Sequence, residues 1–538
     1  MTSTPNPYTD FDCIQLERDD TYFSSDFIES YTKSQSLKEF YSYDPSLEGL
    51  RDRISDKPEF KPEQRTLLVD CLAQQYQRSG IDLSNSPVGE ALKKLAKEKT
   101  YTVTTGQQIH VGVGPLYVLY KILDTIRLAE EISQTEEIDV VPVFWMATED
   151  HDLEEIQDVS LFGKRFKWKT DQEGAVGRMS TEGIHDLFVE IEGTLNLSER
   201  QLDFLKLAKE CYSSSNYADA NRRLVHALFE NSGLLVLDAD EKSLKSLITE
   251  IFSNELKGLN LASLKNATEK FAEKGYGSQV HVRDINLFLL NKNGRHRIIR
   301  ENEELLANDR ILCKTHEIDQ FLEDNYQNIS PNVLIRPLYQ EMILPNLMYV
   351  AGPSELKYWM QLKLLFEQYK LQLPLLFLRT SNVVLREKQL NKMDINHLST
   401  LYKPEKDIIS HISEKMAVIE QNLMAELEKS RKALQELSNL SALTLKGFSL
   451  EGKINKIEPK LTEIEGLISE RLSQMAKDDS KLKAILKFKN AHFDPSNPQE
   501  RVKHLIEFPE LLSYDWTAKK LFGLGNLLKV NHLVTKSV

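Results

Sequence analysis

Tyr101-Thr-Val-Thr-Thr-Gly-Gln-Gln-Ile-His-Val-Gly-Val-Gly-Pro115 opens the stretch that decides the fold, and Asp139-Val-Val-Pro-Val-Phe-Trp-Met-Ala-Thr-Glu-Asp-His-Asp152 closes it. The β-branched run from Tyr101 to Thr105, stopped by Gly106, reads as a strand. Pro115 suits the first turn of a helix, where its missing N–H costs nothing. Leu116, Leu119, Tyr120, Leu123, Ile126 and Leu128 then recur at near-helical spacing, so an amphipathic helix is expected to about Ile132. From Val140 to Met146 the chain is continuously apolar, the texture of a strand buried on both faces. Strand, crossover helix and strand make a right-handed parallel βαβ unit. The expected fold class is therefore α/β, with a Rossmann-like parallel sheet.

Further strands of the same texture lie downstream. Gly233-Leu-Leu-Val-Leu-Asp-Ala-Asp240 is a buried strand with an acidic end, and Leu334-Ile-Arg-Pro-Leu338, Met348-Tyr-Val-Ala-Gly-Pro353 and Leu373-Pro-Leu-Leu-Phe-Leu-Arg379 return to the sheet pattern. Between them, Val280–Leu290 and Arg297–Arg300 suggest a hairpin around Lys292-Asn-Gly294. Ile412, Met416, Ile419, Leu423, Leu427, Leu434 and Leu437 form one apolar seam, and Ile454, Ile457, Leu461, Ile464, Ile468, Leu472 and Met475 a second, separated by Gly447 to Gly452. Steps of three and four with Glu and Lys between predict a helical coiled-coil hairpin, with Pro459 as a kink in its second arm. The expected organisation is N-terminal helices and the first half of the core in 1–160, an inserted region with core strands in 161–330, the second half of the core in 331–386, the coiled coil in 387–490, and a C-terminal segment on the core in 491–538.

Composition narrows the function. With 41 % hydrophobic and 28 % charged residues the chain has a core and a solvated surface. A net charge of −13 argues against nucleic acid or an anionic membrane as main partner. No run of about 18 apolar residues occurs, so no transmembrane helix is expected. Cys13, Cys71, Cys211 and Cys313 have no CxxC spacing, which suits reduced thiols rather than a disulfide framework. Met1 to Asp20 lacks the pattern of a signal peptide. These features together point to the cytoplasm.

Three segments can carry chemistry. Gly106, Gly112 and Gly114 lie between a strand and a helix, where backbone N–H groups and the helix dipole favour an anion. The spacing matches neither GxGxxG nor a Walker loop, so an ordinary turn is the alternative. Glu149, Asp150, His151 and Asp152 follow a buried strand at the end where α/β sheets bind ligands. Carboxylates beside an imidazole suit general base work or a divalent cation, the alternative being a solvated acidic turn. Arg336 at a strand end would clamp a carboxylate or phosphate, or make a structural ion pair. Gly352 and Pro353 enter the next helix, and Glu355 in its first turn serves substrate or the helix dipole. The other histidines, His504 among them, read as surface or core residues.

Taken together these motifs resemble the bacillithiol biosynthesis cysteine-adding enzymes, the cysteine ligases of that low-molecular-weight thiol pathway. The carriers are Thr105-Gly-Gln-Gln108, Gly114-Pro-Leu-Tyr117 with Tyr120-Lys121, Pro142-Val-Phe-Trp-Met-Ala-Thr-Glu-Asp-His-Asp152, Gln279-Val280 with Asn286-Leu-Phe288, Arg336-Pro-Leu-Tyr-Gln-Glu341 with Leu344-Pro-Asn346, and Asn497-Pro-Gln-Glu-Arg501. The resemblance implies a core like that of class I aminoacyl-tRNA synthetases with connective-peptide insertions, a homodimer with a coiled coil, and amide formation between cysteine and glucosaminyl malate. It implies catalysis by Glu149, Asp150, His151 and Asp152. Substrate or nucleotide would bind at Gly106, Gln107, Gln108, Gly114, Tyr117, Lys121, Trp145, Asn286, Arg336, Tyr339, Gln340, Gly352 and Glu355. His110 is not carried over, because family members commonly have small or apolar residues there.

Amide formation from a free carboxylate is uphill, so an activated acyl group is needed and ATP with Mg²⁺ is the expected source. In the expected mechanism His151, oriented by Asp150 or Asp152, deprotonates the sugar ammonium, Gln107 and Gln108 hold polar groups, and Arg336 holds a carboxylate. The sequence assigns no metal ligands. Two other readings stand: a metal-dependent hydrolase or transferase built on Glu149–Asp152, and a non-catalytic ligand-binding partner protein.

Overall fold

A computed structural model describes the chain except residues 1–10, 57–59, 278–279, 293, 394–397, 445–447, 479, 513–528 and 536–538. Parts of the stretch read for a signal peptide, of the Lys292–Gly294 turn and of the Gly447 linker fall outside the described residues.

The quoted stretch forms the centre of a five-stranded parallel sheet. Its strands are β1 (Thr100–Gln107), β2 (Asp139–Met146), β3 (Leu235–Asp238), β4 (Asn346–Ala351) and β5 (Leu375–Leu378), in the spatial order β5-β4-β1-β2-β3. All four pairings are parallel. The helices that matter for the site are α1 (Leu116–Thr135), α2 (Leu153–Ile156), α3 (Arg336–Ile343) and α4 (Pro353–Met360). The hydroxyls buried with β1 are all satisfied: Thr102 and Thr104 donate to Asn346 Oδ1 at 3.1 and 2.9 Å, and Thr105 donates to the Val350 carbonyl at 2.8 Å. That pairing lets a Thr-rich strand occupy a position where an unsatisfied polar group would be costly.

The Leu334–Leu338 segment is not a strand. Arg336 opens α3, with Pro337 in its first turn, and the preceding strand is the short Ile329–Pro331. Proline there favours a helix start, which the apolar texture concealed. Ile329–Pro331 edges a five-stranded antiparallel sheet with Leu287–Asn291, Gly294–Glu301, Glu304–Ala307 and Arg310–Lys314, placed in sequence between β3 and β4. The N-terminal helices expected in 1–160 are preceded by a strand: Phe11–Glu17 pairs antiparallel with Lys529–Thr535, which in turn pairs parallel with Ser381–Arg386.

Two long helices follow, α5 (Glu405–Thr444) and α6 (Glu458–Asp478). Arg431 of α5 ties them by ion pairs to Glu458 at 2.7 Å and to Glu465. Pro459 lies in the first turn of α6, where it starts the helix instead of kinking it.

Candidate functional site

β1 connects through α1 to β2 on one side, while β4 connects through α4 to β5 on the other. β1 and β4 are neighbours, so the sheet has its topological switch point between them, and a crevice opens at their C-terminal ends. A cavity of about 780 Å³ occupies that crevice, a size that suits a small-molecule ligand. Gly106, Gln107, Gln108, Gly114, Tyr117, Trp145, Asp150, Arg336, Gln340, Gly352 and Glu355 line it.

Asp150 is the pivot of one wall. It accepts from Gln108 Nε2 at 2.6 Å and from Arg336 Nη1 at 3.0 Å, and lies 3.3 Å from Arg295 Nη1. Burial would raise its pKa, but Arg336, Arg295 and Gln108 hold the carboxyl below the usual range. Arg295 comes from the antiparallel sheet, donates to Pro331 O at 2.9 Å and stacks over Phe288, 4.0 Å from the ring centroid. Asp150 thus binds the inserted sheet to the core. Two guanidiniums around one carboxylate leave net positive charge beside the cavity.

The other members of the acidic turn point elsewhere. Glu149 is buried against Lys245 at 2.6 Å, and that lysine also pairs with Asp240 at 2.7 Å. Asp152 caps α2, accepting from Glu155 N at 3.3 Å. His151 is exposed, with Nδ1 3.4 Å from Arg295 Nη1. Partial burial and then Arg295 lower its pKa. None of these three lines the cavity. Neither Asp150 nor Asp152 hydrogen-bonds His151, whose ring meets Arg295 instead, so the orienting pair expected for a base is not formed. Among the described residues no group of three or more His, Cys, Asp or Glu side chains converges as a metal site.

The glycine loop also differs from expectation. Gly112, Val113 and Gly114 all have positive φ, at 70, 69 and 63°, a costly conformation for β-branched Val113. The loop's N–H groups are used within the protein: Gly112 N donates to Tyr212 Oη at 3.2 Å, Gly114 N to Val111 O at 3.4 Å, and Leu116 N to Lys503 O at 2.9 Å. They are not the anion cradle that the glycines suggested. The loop instead seats side chains: a Cβ on Gly114 would come within 2.6 Å of His110 Cβ, and one on Gly112 within 3.0 Å of His504 Nε2.

Beneath the cavity floor, Lys121 is fully buried and donates to Glu355 Oε1 at 2.8 Å and Oε2 at 2.7 Å. Burial lowers its pKa and Glu355 opposes the shift. Glu355 also accepts from Tyr349 Oη at 2.9 Å and from Gly352 N at 2.6 Å, so it caps α4. Lys121 therefore supports the floor and does not line the cavity. Tyr339 donates to Ala239 O at 2.8 Å, and Asn286 donates to Glu255 Oε1 at 2.9 Å. Both are buried in the frame, away from the ligand positions expected of them.

Sequence reasoning missed the fourth wall. Arg501, Val502, Lys503 and His504 reach the cavity from the C-terminal segment, anchored by the Lys503 carbonyl on α1 and by Arg379 Nη1 on Glu500 Oε2 at 2.9 Å. Arg379 itself lies over the Tyr117 ring at 5.7 Å. His110 and Glu155 line the cavity as well. The Asn497–Arg501 motif was the one available signal for this wall; nothing local places His504 beside Gly112.

Residues 10–380 match the family model described as "Bacillithiol biosynthesis BshC, N-terminal Rossmann-like domain". Proteins named "Putative cysteine ligase BshC" are similar over most of their length. The one from Flavobacterium psychrophilum is 36 % identical, covering 92 % of this chain and 94 % of its own. The one from Flavobacterium johnsoniae is also 36 % identical with the same coverage, and that from Cytophaga hutchinsonii is 32 % identical over 91 % and 92 %. A solved Campylobacter jejuni chain described as a "putative arginyl t-RNA synthetase" aligns over 83 % of this chain and 95 % of its own, at 10 % identity and a TM-score of 0.22, too low to carry an argument.

Proposed function

The chain belongs to the bacillithiol biosynthesis BshC family, and from that premise we propose that it is a cysteine ligase joining cysteine to glucosaminyl malate through an amide bond, in the cavity between β1 and β4. The observation that carries the reading is a cavity at the switch point of the sheet whose wall carries both signs of charge. Arg336, Arg379, Arg501 and Lys503 line it alongside Asp150, Glu155, Asp158 and Glu355. The cations suit the carboxylates of both substrates and a polyphosphate, and the carboxylates suit an amine.

A nucleoside triphosphate with Mg²⁺ fits this donor set: Arg501 and Lys503 would hold its phosphates. When bound it supplies the free energy that converts the cysteine carboxyl into an acyl donor. The chain's own residues bind and orient. Gln107, held by Tyr117 Oη at 3.0 Å, and Gln108, held by Asp150, present polar groups to the substrates. Trp145 and Tyr117 give apolar walls that exclude water. Purified protein incubated with cysteine, glucosaminyl malate and ATP-Mg²⁺ should yield the amide by mass spectrometry, and loss of product without nucleotide tests the cofactor. Product formed equally well without nucleotide would remove ATP from the reading. The hydrolase alternative is not favoured, since Glu149, Asp150 and Asp152 each have a separate partner.

We place the homodimer on the long arms. Leu437, Leu440 and Leu443 recur every three residues on α5 and are each more than half exposed, an apolar strip that a second copy would cover. The full chain should sediment as a dimer, and Leu440→Glu with Leu443→Glu as a monomer. An unchanged mass would move the interface elsewhere. No described helix is long and apolar enough to cross a membrane, and a cytoplasmic site of action belongs to the same proposal.

A further inference from the structure

We propose that His110 and Glu155 form the subsite that holds the attacking amine, with Glu155 as the group that takes its proton; the assignment of that amine to the sugar rests on the ligase reading above. His110 Nε2 lies 4.0 Å from Glu155 Oε1, too far for a hydrogen bond between them. The His110 side chain is 9 % exposed, and its Nε2 has no hydrogen-bond partner. An unpaired buried polar atom costs about 1–3 kcal/mol, so an atom left this way on a cavity wall points to a ligand.

Its neighbour shows the contrast. His504 Nδ1 accepts from Ile506 N at 3.2 Å, and its Nε2 is directed at the Val111 carbonyl at 3.4 Å. Both ring nitrogens of His504 are committed to backbone, which fixes its tautomer and makes it a wall. His110 is held in place by packing against Gly114, where no Cβ could fit, and it lines the cavity with its Nε2 buried and unpaired.

The geometry selects the ligand class. A nitrogen about 2.9 Å from each of two acceptors 4.0 Å apart subtends an angle of roughly 90°, near that between two N–H bonds of a primary ammonium. A hydroxyl has one hydrogen and serves only one acceptor. A carboxylate or phosphate would meet the Glu155 carboxylate. Burial holds His110 at about 4, so it is neutral at physiological pH and accepts through Nε2 when Nδ1 carries the proton. The Glu155 carboxyl is raised, first by burial and then by Asp152 and Asp150, which makes it a stronger base than an ordinary carboxylate. The ionisable groups around it are His110, Tyr117, Asp150 and Asp152.

The step balances as follows. One N–H bond of the ammonium breaks and its proton passes to Glu155. The freed lone pair forms the C–N bond at the activated cysteinyl carbonyl, the bond from that carbon to the phosphate leaving group breaks, and a second nitrogen proton departs with the phosphate.

Calorimetric titration of the full chain with glucosaminyl malate and with its N-acetyl form tests the subsite without requiring turnover. The wild type should prefer the free amine by about tenfold or more, the value of one or two hydrogen bonds to a charged group. Glu155→Gln and His110→Ala should each lose most of that preference, and His110→Gln, which keeps an acceptor, should recover part of it. Glu155 is half-exposed, so its replacement does not threaten folding. In turnover, the acid limb of kcat/KM for the amine substrate should disappear in Glu155→Gln, which a merely structural role would not produce. Equal binding of both forms by the wild type, or undiminished preference in Glu155→Gln, overturns the subsite. Preference for the amine without any product would support the subsite and remove the ligase reading.

Discussion

The acidic turn from Glu149 to Asp152 and the glycine loop from Gly106 to Gly114 follow neighbouring strands and reach the same end of the sheet, yet they serve opposite purposes. The turn is rich in reactive side chains, and the fold uses nearly all of them for itself: Glu149 on Lys245, Asp150 on two arginines, Asp152 on a helix end. The loop is poor in such groups, and its backbone is spent internally. It still delivers Gln107, Gln108 and His110 to the cavity. Reactivity by residue type is therefore a weak guide to a site. What counts is whether a side chain is left without a protein partner, and ion pairs remove carboxylates from that pool first.

Asp150→Ala is the strongest way to break this contrast. It strands Arg336 and Arg295 near the cavity, and losing one partner of a buried charge cluster costs about 3–5 kcal/mol. Urea unfolding should register that loss together with loss of product. A change under about 1 kcal/mol would show that Asp150 is not structural.

Gly114→Ala comes next. A φ of +63° and a Cβ 2.6 Å from His110 should cost about 1–3 kcal/mol and displace His110, measured by thermal unfolding and by weakened binding of the amine substrate.

A pH-dependent effect is expected at Asp124 on α1. It is fully buried and accepts from Thr380 N and Oγ1, both at 2.7 Å. Burial raises its pKa from the ordinary 3.8 to about 7. The folded chain thus keeps a proton that the unfolded chain releases, and this contribution to stability is lost as pH rises from about 4 to 7. Asp124→Asn should flatten that part of the stability–pH curve; an unchanged slope would assign the proton elsewhere.

The least effect is expected from His151→Ala. An exposed ring outside the cavity should change stability by less than about 0.5 kcal/mol and leave product formation within about twofold of wild type. A collapse in rate would return the chemistry to the acidic turn.

Much of the core was legible because its signals are local. The β-branched and apolar runs of β1 to β5 and the 3.6-residue repeat of α1 arise from near neighbours in the chain, as do the caps at Pro115 and Gly352. The failures came where a local pattern allowed two answers. Leu334–Leu338 has strand texture, but Pro337 places Arg336 at a helix start. Phe11–Glu17 became a strand only because Lys529–Thr535 lies beside it.

By itself the sequence determined the parallel α/β core, the ligand-facing ends of β1 and β2, and, through its motifs, the family. The tertiary structure alone decided which polar groups face the ligand. Hydrophobic periodicity is a property of adjacent residues, whereas the partner of a charged or imidazole side chain is set by contacts across hundreds of residues: Asp150 meets Arg336, Gly112 meets His504, and Lys121 meets Glu355. Those long-range pairings decide that His110, from the loop after β1, and Glu155, from α2 after β2, come together on one wall of the cavity.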